Sequence, residues 1–209
     1  MDIRYHRILF NSSANGPGRR NVVWFQGCTL NCPGCFNPLT HDPKGGKQIS
    51  CTALCDLLLS HEPACEGITI SGGEPFQQAE ALLELLKILK SRKSPPVLIF
   101  SGYSFSRIKD DPLCRSCLPF LDALICGPFM ENEPPAYDRF CSSANQELIL
   151  LNDCYTQSDF ADLPLGEILV DGSGNAIVSG ISPLPLPHPP DPLSSFTKCH
   201  ECHEGKLQK

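Results

Sequence analysis

The chain has 209 residues, which is enough for one α/β domain with a modest extension. Its 17 Lys and Arg against 23 Asp and Glu give a formal net charge of −6, which argues against nucleic acid as a partner because nucleic-acid binders normally carry a basic face. No apolar run approaches the roughly 20 residues that cross a bilayer, so we expect no membrane partner.

The cysteine content indicates a cellular compartment. The first residues lack the long apolar core of a signal peptide, because they include Arg4, His6 and Arg7. Thirteen cysteines in such a chain indicate a reducing environment and metal ligation rather than disulfides. We therefore expect a cytoplasmic protein.

The chain opens with two predicted strands that lead into a cysteine-rich loop. Residues 3–10 are typical of a β-strand, and residues 11–21 form a loop rich in Gly, Ser, Asn and Pro. Within it, Arg19 or Arg20 either orders the cysteine loop or binds a carboxylate, unless the two are a solvated pair beside a turn. The apolar run 22–25 fits a buried strand that delivers the chain to the cysteine loop.

Cys28, Cys32 and Cys35 stand in C-x-x-x-C-x-x-C spacing. Four thiolates complete a tetrahedral metal site or a four-iron cluster, so three leave one position open, where a small molecule can bind and react. Two other interpretations stay open at this point. The three cysteines are half of a structural zinc site completed elsewhere, or they are buried thiols without a ligand.

The next stretch is predicted to be a helix followed by a glycine-rich strand end. Residues 49–61 have the spacing of an amphipathic helix, in which we interpret Cys51 and Cys55 as small buried residues. A strand at 67–70 ends in Ser-Gly-Gly-Glu-Pro at 71–75. Glycines there let the backbone approach a ligand, and the carboxylate can accept hydrogen bonds from an ammonium group.

Further strands alternate with helices. A long amphipathic helix is predicted at 76–92, and buried strands are predicted at 97–100 and 121–125. This alternation favours parallel βαβ units. With about five or six such strands an eight-stranded barrel cannot close. We therefore expect an α/β fold, an incomplete (β/α) barrel with parallel strands that is open to a large substrate.

These motifs resemble those of the radical S-adenosylmethionine (SAM) enzymes, and among them the small activating enzymes of glycyl-radical proteins, above all the activating proteins of anaerobic ribonucleotide reductase. The triad followed by a strand that ends in Gly-Gly-Glu-Pro is a specific combination. The likeness covers about the first 150 residues. The matching stretches are 15–20, 22–28, 31–37, 40–42 and 68–75, with weaker echoes at 100–103 and 122–129.

The resemblance implies a cofactor set and a reaction. Cys28, Cys32 and Cys35 would hold three irons of a 4Fe-4S cluster, and the amino and carboxylate groups of SAM would chelate the fourth. An electron from a flavodoxin or ferredoxin would split SAM into methionine and a 5′-deoxyadenosyl radical, which would take a hydrogen atom from a backbone glycine of a partner protein. The host is expected to live with little oxygen.

The resemblance also implies which residues meet SAM. The superfamily often has an aromatic residue just before the third cysteine, where this chain has Gly34, so Phe36 is the substitute candidate unless it only closes the core beneath the loop. The glycine-rich turn would grip the amino group of SAM, and two residues after the next strand would lie at the edge of the site. The expected SAM-binding residues are Gly72, Gly73, Glu74, Pro75, Phe36, Ser101 and Tyr103.

The chain departs from the activating enzymes at residues 139–146. Those enzymes usually carry an arginine and a glycine where this chain has Cys141 and Ser142. The departure weakens the expectation of ribonucleotide reductase as the partner. A radical SAM enzyme acting on another peptide or on a small molecule stays open, as does a non-catalytic metal-binding module.

The C-terminal part is predicted to be an extension. We place the radical SAM core at 1–152 and the extension at 153–209. A strand at 147–151 precedes the boundary, and a hairpin follows with strands at 167–170 and 176–178.

A proline-rich stretch at 182–193 is typical of an extended linker. Cys199 and Cys202 follow it with metal-ligand spacing, and Cys114 and Cys117 are their candidate partners in a second site, for zinc or a second cluster. The alternative is a metal-free tail.

Overall fold

The computed structural model describes residues 1–60, 64–170, 174 and 176–181. Its centre is a seven-stranded sheet made of β1 Asp2–Ser12, β2 Arg20–Phe25, β3 Lys47–Ser50, β4 Gly67–Gly72, β5 Val97–Ser101, β6 Ala123–Cys126 and β7 Glu147–Leu150. The strand order is β3-β1-β2-β4-β5-β6-β7. The four central strands β2, β4, β5 and β6 are parallel, whereas β1, β3 and β7 pair in antiparallel fashion at the two sides.

Helices cover one face of this sheet. They are α1 Cys51–Leu59, α2 Ala79–Ser91, α3 Phe105–Asp110 and α4 Pro112–Cys117, and a 3-10 turn at Pro75–Gln78 leads into α2. Because side chains alternate along a strand, Val23 and Phe25 of β2 point into the core beneath these helices. Cys51 and Cys55 are fully buried in the same core, which confirms them as small buried residues.

The other face, called the inner face here, is covered by the end of the described chain. A hairpin of β8 Gly166–Val170 and β9 Ala176–Gly180 forms a separate two-stranded sheet. Its Leu169 and Ile177 pack on Val22 and Trp24 of β2. A second buried cluster lies farther along the same face. It includes Leu98 of β5 and Ile125 of β6, together with Phe140, Phe160 and Ile181.

The predicted α/β class with a largely parallel sheet is confirmed, and the strands at 3–10, 67–70, 97–100 and 147–151 and the hairpin are found near their expected bounds. That the sheet is an incomplete barrel, and that the chain divides at residue 152, stay predictions. The predicted helix at 49–61 was wrong at its start. Ile49 lies in β3, which pairs with β1 through Ile3, so α1 begins only at Cys51.

No helix within the described part of the chain is long and apolar enough to cross a bilayer. The proline-rich stretch and the cysteines that follow it lie outside the described residues.

Candidate functional site

The site lies at the carboxyl ends of the four parallel strands, where the loops after β2, β4, β5 and β6 meet. In open parallel sheets this edge is the usual place of a ligand. A single cavity of about 110 Å³, called the cysteine cavity here, is lined by residues from all four loops, among them Cys28, Ser71, Ser101 and Gly127. The four loops therefore contribute to one site.

The loop after β2 is closed at its base by backbone hydrogen bonds. Gly27 N donates to Thr40 O at 2.7 Å, and Cys28 N donates to His41 O at 3.0 Å. The buried Gln26 side chain adds bonds from its Nε2 to Leu39 O and Asp42 O. The three cysteines thus lie on a ring of chain whose two ends are fixed by protein groups.

Cys28, Cys32 and Cys35 are all partly exposed and all line the cysteine cavity. Burial raises the pKa of the Cys28 and Cys35 thiols above the ordinary value. Across the described ranges, no three Cys, His, Asp or Glu side chains form a group that could hold a single metal ion. In a four-iron cluster each thiolate ligates a separate iron, so three thiols spread around one cavity suit that cofactor by their chemistry.

The glycine-rich end of β4 packs against the start of the cysteine loop. Gly73 N donates to Phe25 O and Glu74 N donates to Gly27 O, both at 2.9 Å. A Cβ added to Gly73 would lie 2.3 Å from Gly27 O. Gly72, at φ +107, would place a Cβ 2.5 Å from the backbone N of Phe25. The glycines are therefore required by this backbone packing, in addition to any approach of a ligand.

Glu74 is fully buried behind the cavity wall. Its carboxylate accepts hydrogen bonds from Phe76 N at 2.9 Å, from Ser101 Oγ at 2.9 Å and from Gly102 N at 2.7 Å. Burial raises the pKa of Glu74 to about 7, although all three hydrogen bonds oppose that shift. Ser71, Gly72 and Gly73 line the cysteine cavity, whereas Glu74 and Pro75 do not.

The remaining expected SAM-binding residues divide between the cavity and the core. Ser101 and Phe36 line the cysteine cavity, and the Phe36 ring lies 4.6 Å from that of Phe129 between centroids. Tyr103 does not line it. Its buried ring stacks on Phe76 with centroids 6.5 Å apart, and the Arg107 guanidinium lies 3.5 Å from the ring centroid. The role of each residue toward SAM stays a prediction.

Several residues that the sequence analysis did not assign to the site also line the cavity. Gln146 fixes the loop after β6, because its Oε1 accepts from Ser142 N at 3.0 Å and its Nε2 donates to Gly127 O at 3.1 Å. Gln146 and the preceding Asn145 end the stretch 139–146 that the sequence analysis compared with the activating enzymes, and that comparison was the available signal for Gln146. The further lining residues are Leu30, Asn37, His41, Phe100, Gly102, Gly127, Phe129, Ser142 and Gln146.

The two arginines before β2 have separate roles. Arg19 is exposed, and its Nε lies 3.5 Å from Glu66 Oε2. Arg20 is fully buried, and its guanidinium donates to Thr69 Oγ1, Tyr155 OH and the carbonyl oxygens of three residues, Pro17, Ile68 and Pro96. The interpretation of a solvated pair was therefore wrong for Arg20, which ties the inner face together and has no carboxylate among these partners.

The second metal site stays a prediction. Cys114 and Cys117 are buried on α4, and Cys117 Sγ lies within hydrogen-bonding distance of Ala79 O, at 3.9 Å. Burial raises the pKa of Cys114 to about 11 and that of Cys117 to about 12, which disfavours the thiolate form. Their expected partners Cys199 and Cys202 lie outside the described residues.

Comparison with known proteins places this site in a family. Residues 14–149 match the family model described as a 4Fe-4S single cluster domain. The chain is 36% identical over 111 residues to the pyruvate formate-lyase-activating enzyme of Clostridium pasteurianum, a match that covers 51% of this chain and 47% of that protein. A putative glycyl-radical enzyme activating enzyme of Haemophilus influenzae is also 36% identical, over 49% of this chain and 40% of its own length. The chain thus spans less than half the length of these two relatives.

Shorter relatives are covered almost completely. The anaerobic ribonucleoside-triphosphate reductase-activating protein of Enterobacteria phage T4 is 30% identical over 63% of this chain and 85% of its own length. The protein of the same name from Pasteurella multocida is 31% identical over 63% of this chain and 87% of its own length. The chain therefore belongs to the 4Fe-4S single cluster domain family and is of the glycyl-radical activating, radical SAM type, as its sequence resemblance predicted.

Proposed function

We propose that this protein binds a 4Fe-4S cluster through Cys28, Cys32 and Cys35, cleaves SAM reductively, and generates a glycyl radical on a partner enzyme. The observation that carries this proposal is that all three thiols line the same cavity as the glycine-rich end of β4. A structural metal site has no need of such a second wall. Relatives named as activating enzymes support the same chemistry.

In the proposed reaction the residues of the cavity have two roles, which are to bind SAM and to exclude water. When bound, the cluster supplies the electron that splits SAM into methionine and a 5′-deoxyadenosyl radical, which removes a hydrogen atom from the substrate. The backbone at Gly72 and Gly73 and the hydroxyl groups of Ser71 and Ser101 offer polar contacts for SAM. The apolar side chains Leu30, Phe36, Phe100 and Phe129 line the remaining wall and keep water from the reacting groups.

Glu74 holds this arrangement from behind the wall. It joins the end of β4 to the end of β5 through Ser101 and Gly102. We propose that it positions these two strand ends and acts on SAM through them, since its oxygens already accept three hydrogen bonds from the protein.

The partner and the electron donor follow from the same chemistry. We propose a glycyl-radical enzyme as the substrate, of the kind that the relatives' names give: anaerobic ribonucleotide reductase or pyruvate formate-lyase. A flavodoxin or ferredoxin in a reducing cytoplasm is the proposed electron donor. Ser142, which stands at the departure from the activating enzymes, lines the cavity, and this favours a different peptide as the second candidate substrate.

The test is SAM turnover by anaerobically reconstituted protein with dithionite. Wild type, a triple variant with Cys28→Ala, Cys32→Ala and Cys35→Ala, and a Cys65→Ala control would be compared for iron, sulfide and 5′-deoxyadenosine. Cys65 is a partly buried thiol that does not line the cavity, so it matches the chemistry of the change but not its place. We expect cluster and product in wild type and control, and neither in the triple variant.

Two results would contradict the proposal. If the triple variant retained the full iron and sulfide content, the cluster would lie elsewhere. If cluster-loaded wild type released no 5′-deoxyadenosine, even with a glycyl-radical enzyme present, the protein would be a metal-binding module without this catalysis.

A further inference from the structure

A second, smaller cavity adjoins the cysteine cavity on the inner face of the sheet. Its volume is about 50 Å³, and we call it the side chamber. It shares five lining residues with the cysteine cavity, namely Phe36, Asn37, Ser71, Phe100 and Ser142. A group in the side chamber therefore lies next to the proposed site of SAM cleavage.

The far wall of the side chamber comes from the end of the hairpin. Gly180 and Ile181 line it, and both lie beyond residues 14–149 of the family match. Ile181 N donates to Leu165 O at 2.9 Å, and its side chain is buried in the core of the inner face. Gly180, at φ +130, would place a Cβ 2.3 Å from Leu165 O, so the turn requires glycine.

Hydrogen bonds attach this hairpin to the first strands of the sheet. Asn15, which also lines the side chamber, donates from Nδ2 to Ser179 Oγ at 2.6 Å. Glu167 accepts hydrogen bonds from the Ser12 and Ser13 hydroxyl groups. The wall is therefore attached to the rest of the fold on the side of the first strand.

The chemistry of the lining selects a class of ligand. None of the described residues that line the side chamber is titratable; they are aromatic or aliphatic, or they carry amides and hydroxyls. Arg7 stacks over Trp24 at 4.2 Å but is not among the lining residues. A charged group in this chamber would be buried without a counter-ion, which is costly. Peptide N–H and C=O groups are uncharged and match the neutral amide and hydroxyl groups of the wall.

We propose that the side chamber is a substrate-specificity site, which takes an uncharged peptide segment of the partner protein beside the glycine that is to carry the radical. The inference rests on the proposed function and adds to it a role for Gly180 and Ile181. It also gives a role to Ser142, which lines both cavities.

The single tryptophan of the chain provides the readout, because Trp24 lines the side chamber. Cluster-loaded protein would be titrated with a terminally blocked pentapeptide that has a central glycine flanked by alanines, while tryptophan fluorescence is followed. The comparison peptide has aspartates on both sides of the glycine. We expect a saturable change in fluorescence with the neutral peptide. The charged peptide should bind about tenfold more weakly, or show no binding.

A matched pair of variants locates the binding. Ile181→Phe enlarges a side chain that lines the side chamber and packs in the core, whereas Ile168→Phe makes the same change at an exposed position of the same hairpin. We expect Ile181→Phe to weaken binding of the neutral peptide about tenfold and Ile168→Phe to leave it unchanged. Circular dichroism would verify that both variants fold.

Equal affinity for the two peptides in wild type would overturn the inference, and this comparison needs no variant. Wild-type affinity in a folded Ile181→Phe would overturn it as well. Release of 5′-deoxyadenosine by the same preparations without peptide separates the two proposals. Normal SAM cleavage without peptide selectivity would remove the specificity site alone. Selective peptide binding without any SAM cleavage would contradict the proposed function and retain the peptide site.

Discussion

Ser101 Oγ donates a hydrogen bond to Glu74 Oε1 over 2.9 Å, and this bond joins the carboxyl ends of two neighbouring parallel strands. The same hydroxyl accepts a hydrogen bond from Tyr103 N at 3.0 Å. Both groups are buried, so neither bond can be replaced by water without rearrangement. The link fixes the wall of the cysteine cavity from behind.

Ser101→Ala is expected to lower the free energy of unfolding by about 1–3 kcal/mol, because it leaves the Tyr103 N–H without its acceptor and removes a donor from Glu74. Ser91→Ala is the matched control, since the Ser91 hydroxyl donates to Ile88 O at the exposed end of α2. Its cost should stay within about 0.5 kcal/mol. Urea unfolding would measure the loss of unfolding free energy in both variants. Equal losses would show that the buried hydrogen bonds of Ser101 stabilise the fold no more than an exposed one does.

The pH dependence of stability should depend on Glu74. Because the pKa of Glu74 is raised to about 7, the folded state holds this proton more tightly than the unfolded state does. The resulting stabilisation is complete below the ordinary carboxyl pKa and is lost as the pH rises through about 7. Glu74→Gln cannot titrate. We therefore expect the free energy of unfolding to fall more steeply between about pH 5 and 8 in wild type than in the variant, by up to about 3 kcal/mol.

Urea unfolding at several pH values gives the two slopes. Glu74→Gln is expected to be less stable than wild type at low pH, because its NH2 group cannot accept a hydrogen bond, whereas both oxygens of the protonated carboxyl keep lone pairs for the donors that surround them. The comparison therefore concerns the slope and not the absolute value. Parallel curves for the two proteins would show that the pKa of Glu74 is not raised.

Gly73→Ala should be far more harmful than Gly102→Ala, although both residues line the cysteine cavity. At Gly73 the new Cβ would meet the backbone oxygen of Gly27 at 2.3 Å. At Gly102 it would meet Cδ1 of Leu30 at the same distance, but that is the end of a side chain, which can move. We expect a loss of about 1–3 kcal/mol for Gly73→Ala and less than about 1 kcal/mol for Gly102→Ala, measured by urea unfolding. Similar losses would contradict the backbone contact.

Arg20→Met is expected to destabilise the fold by about 3 kcal/mol, because it removes a buried guanidinium with five hydrogen bonds and leaves carbonyl groups without donors. Arg19→Met makes the same change in an exposed residue, and loss of its solvent-screened ion pair with Glu66 should have little effect. Thermal or urea unfolding would separate them. A cost below about 1 kcal/mol for Arg20→Met would show that the inner face does not depend on this residue.

The parts of the site that could be predicted are those whose functional residues are near one another in the sequence. The spacing of Cys28, Cys32 and Cys35 and the glycine-rich end of β4 were apparent without a structure, and the structure brings them to one cavity. Strand and helix positions followed from apolar periodicity, which reports burial directly. The edge strand β3 was missed because only its pairing with β1 makes four mostly exposed residues a strand.

The missed residues of the site depend on contacts between distant parts of the chain. Ser142 and Gln146 reach the cavity only through the loop after β6, and Ile181 reaches the side chamber through the packing of the hairpin on the inner face. Ile181 has no local pattern that marks it, and Ser142 was noted only as a departure from the activating enzymes. Arg20 was ambiguous because a sequence does not show whether a charged residue is buried, and its five partners come from four separate segments.

The ring that carries the three cysteines is closed at its base by backbone hydrogen bonds from Gly27 to Thr40 and from Cys28 to His41. Its base therefore does not depend on iron and sulfide to stay shut. Iron–sulfur clusters exposed to solvent are attacked by oxygen, and these thiols are partly exposed. We therefore expect the base of the ring to keep its shape if the proposed cluster is lost, so that the same chain can bind a new one. Loss of the proposed cluster in air should then be reversible by reconstitution of the same molecule with iron and sulfide.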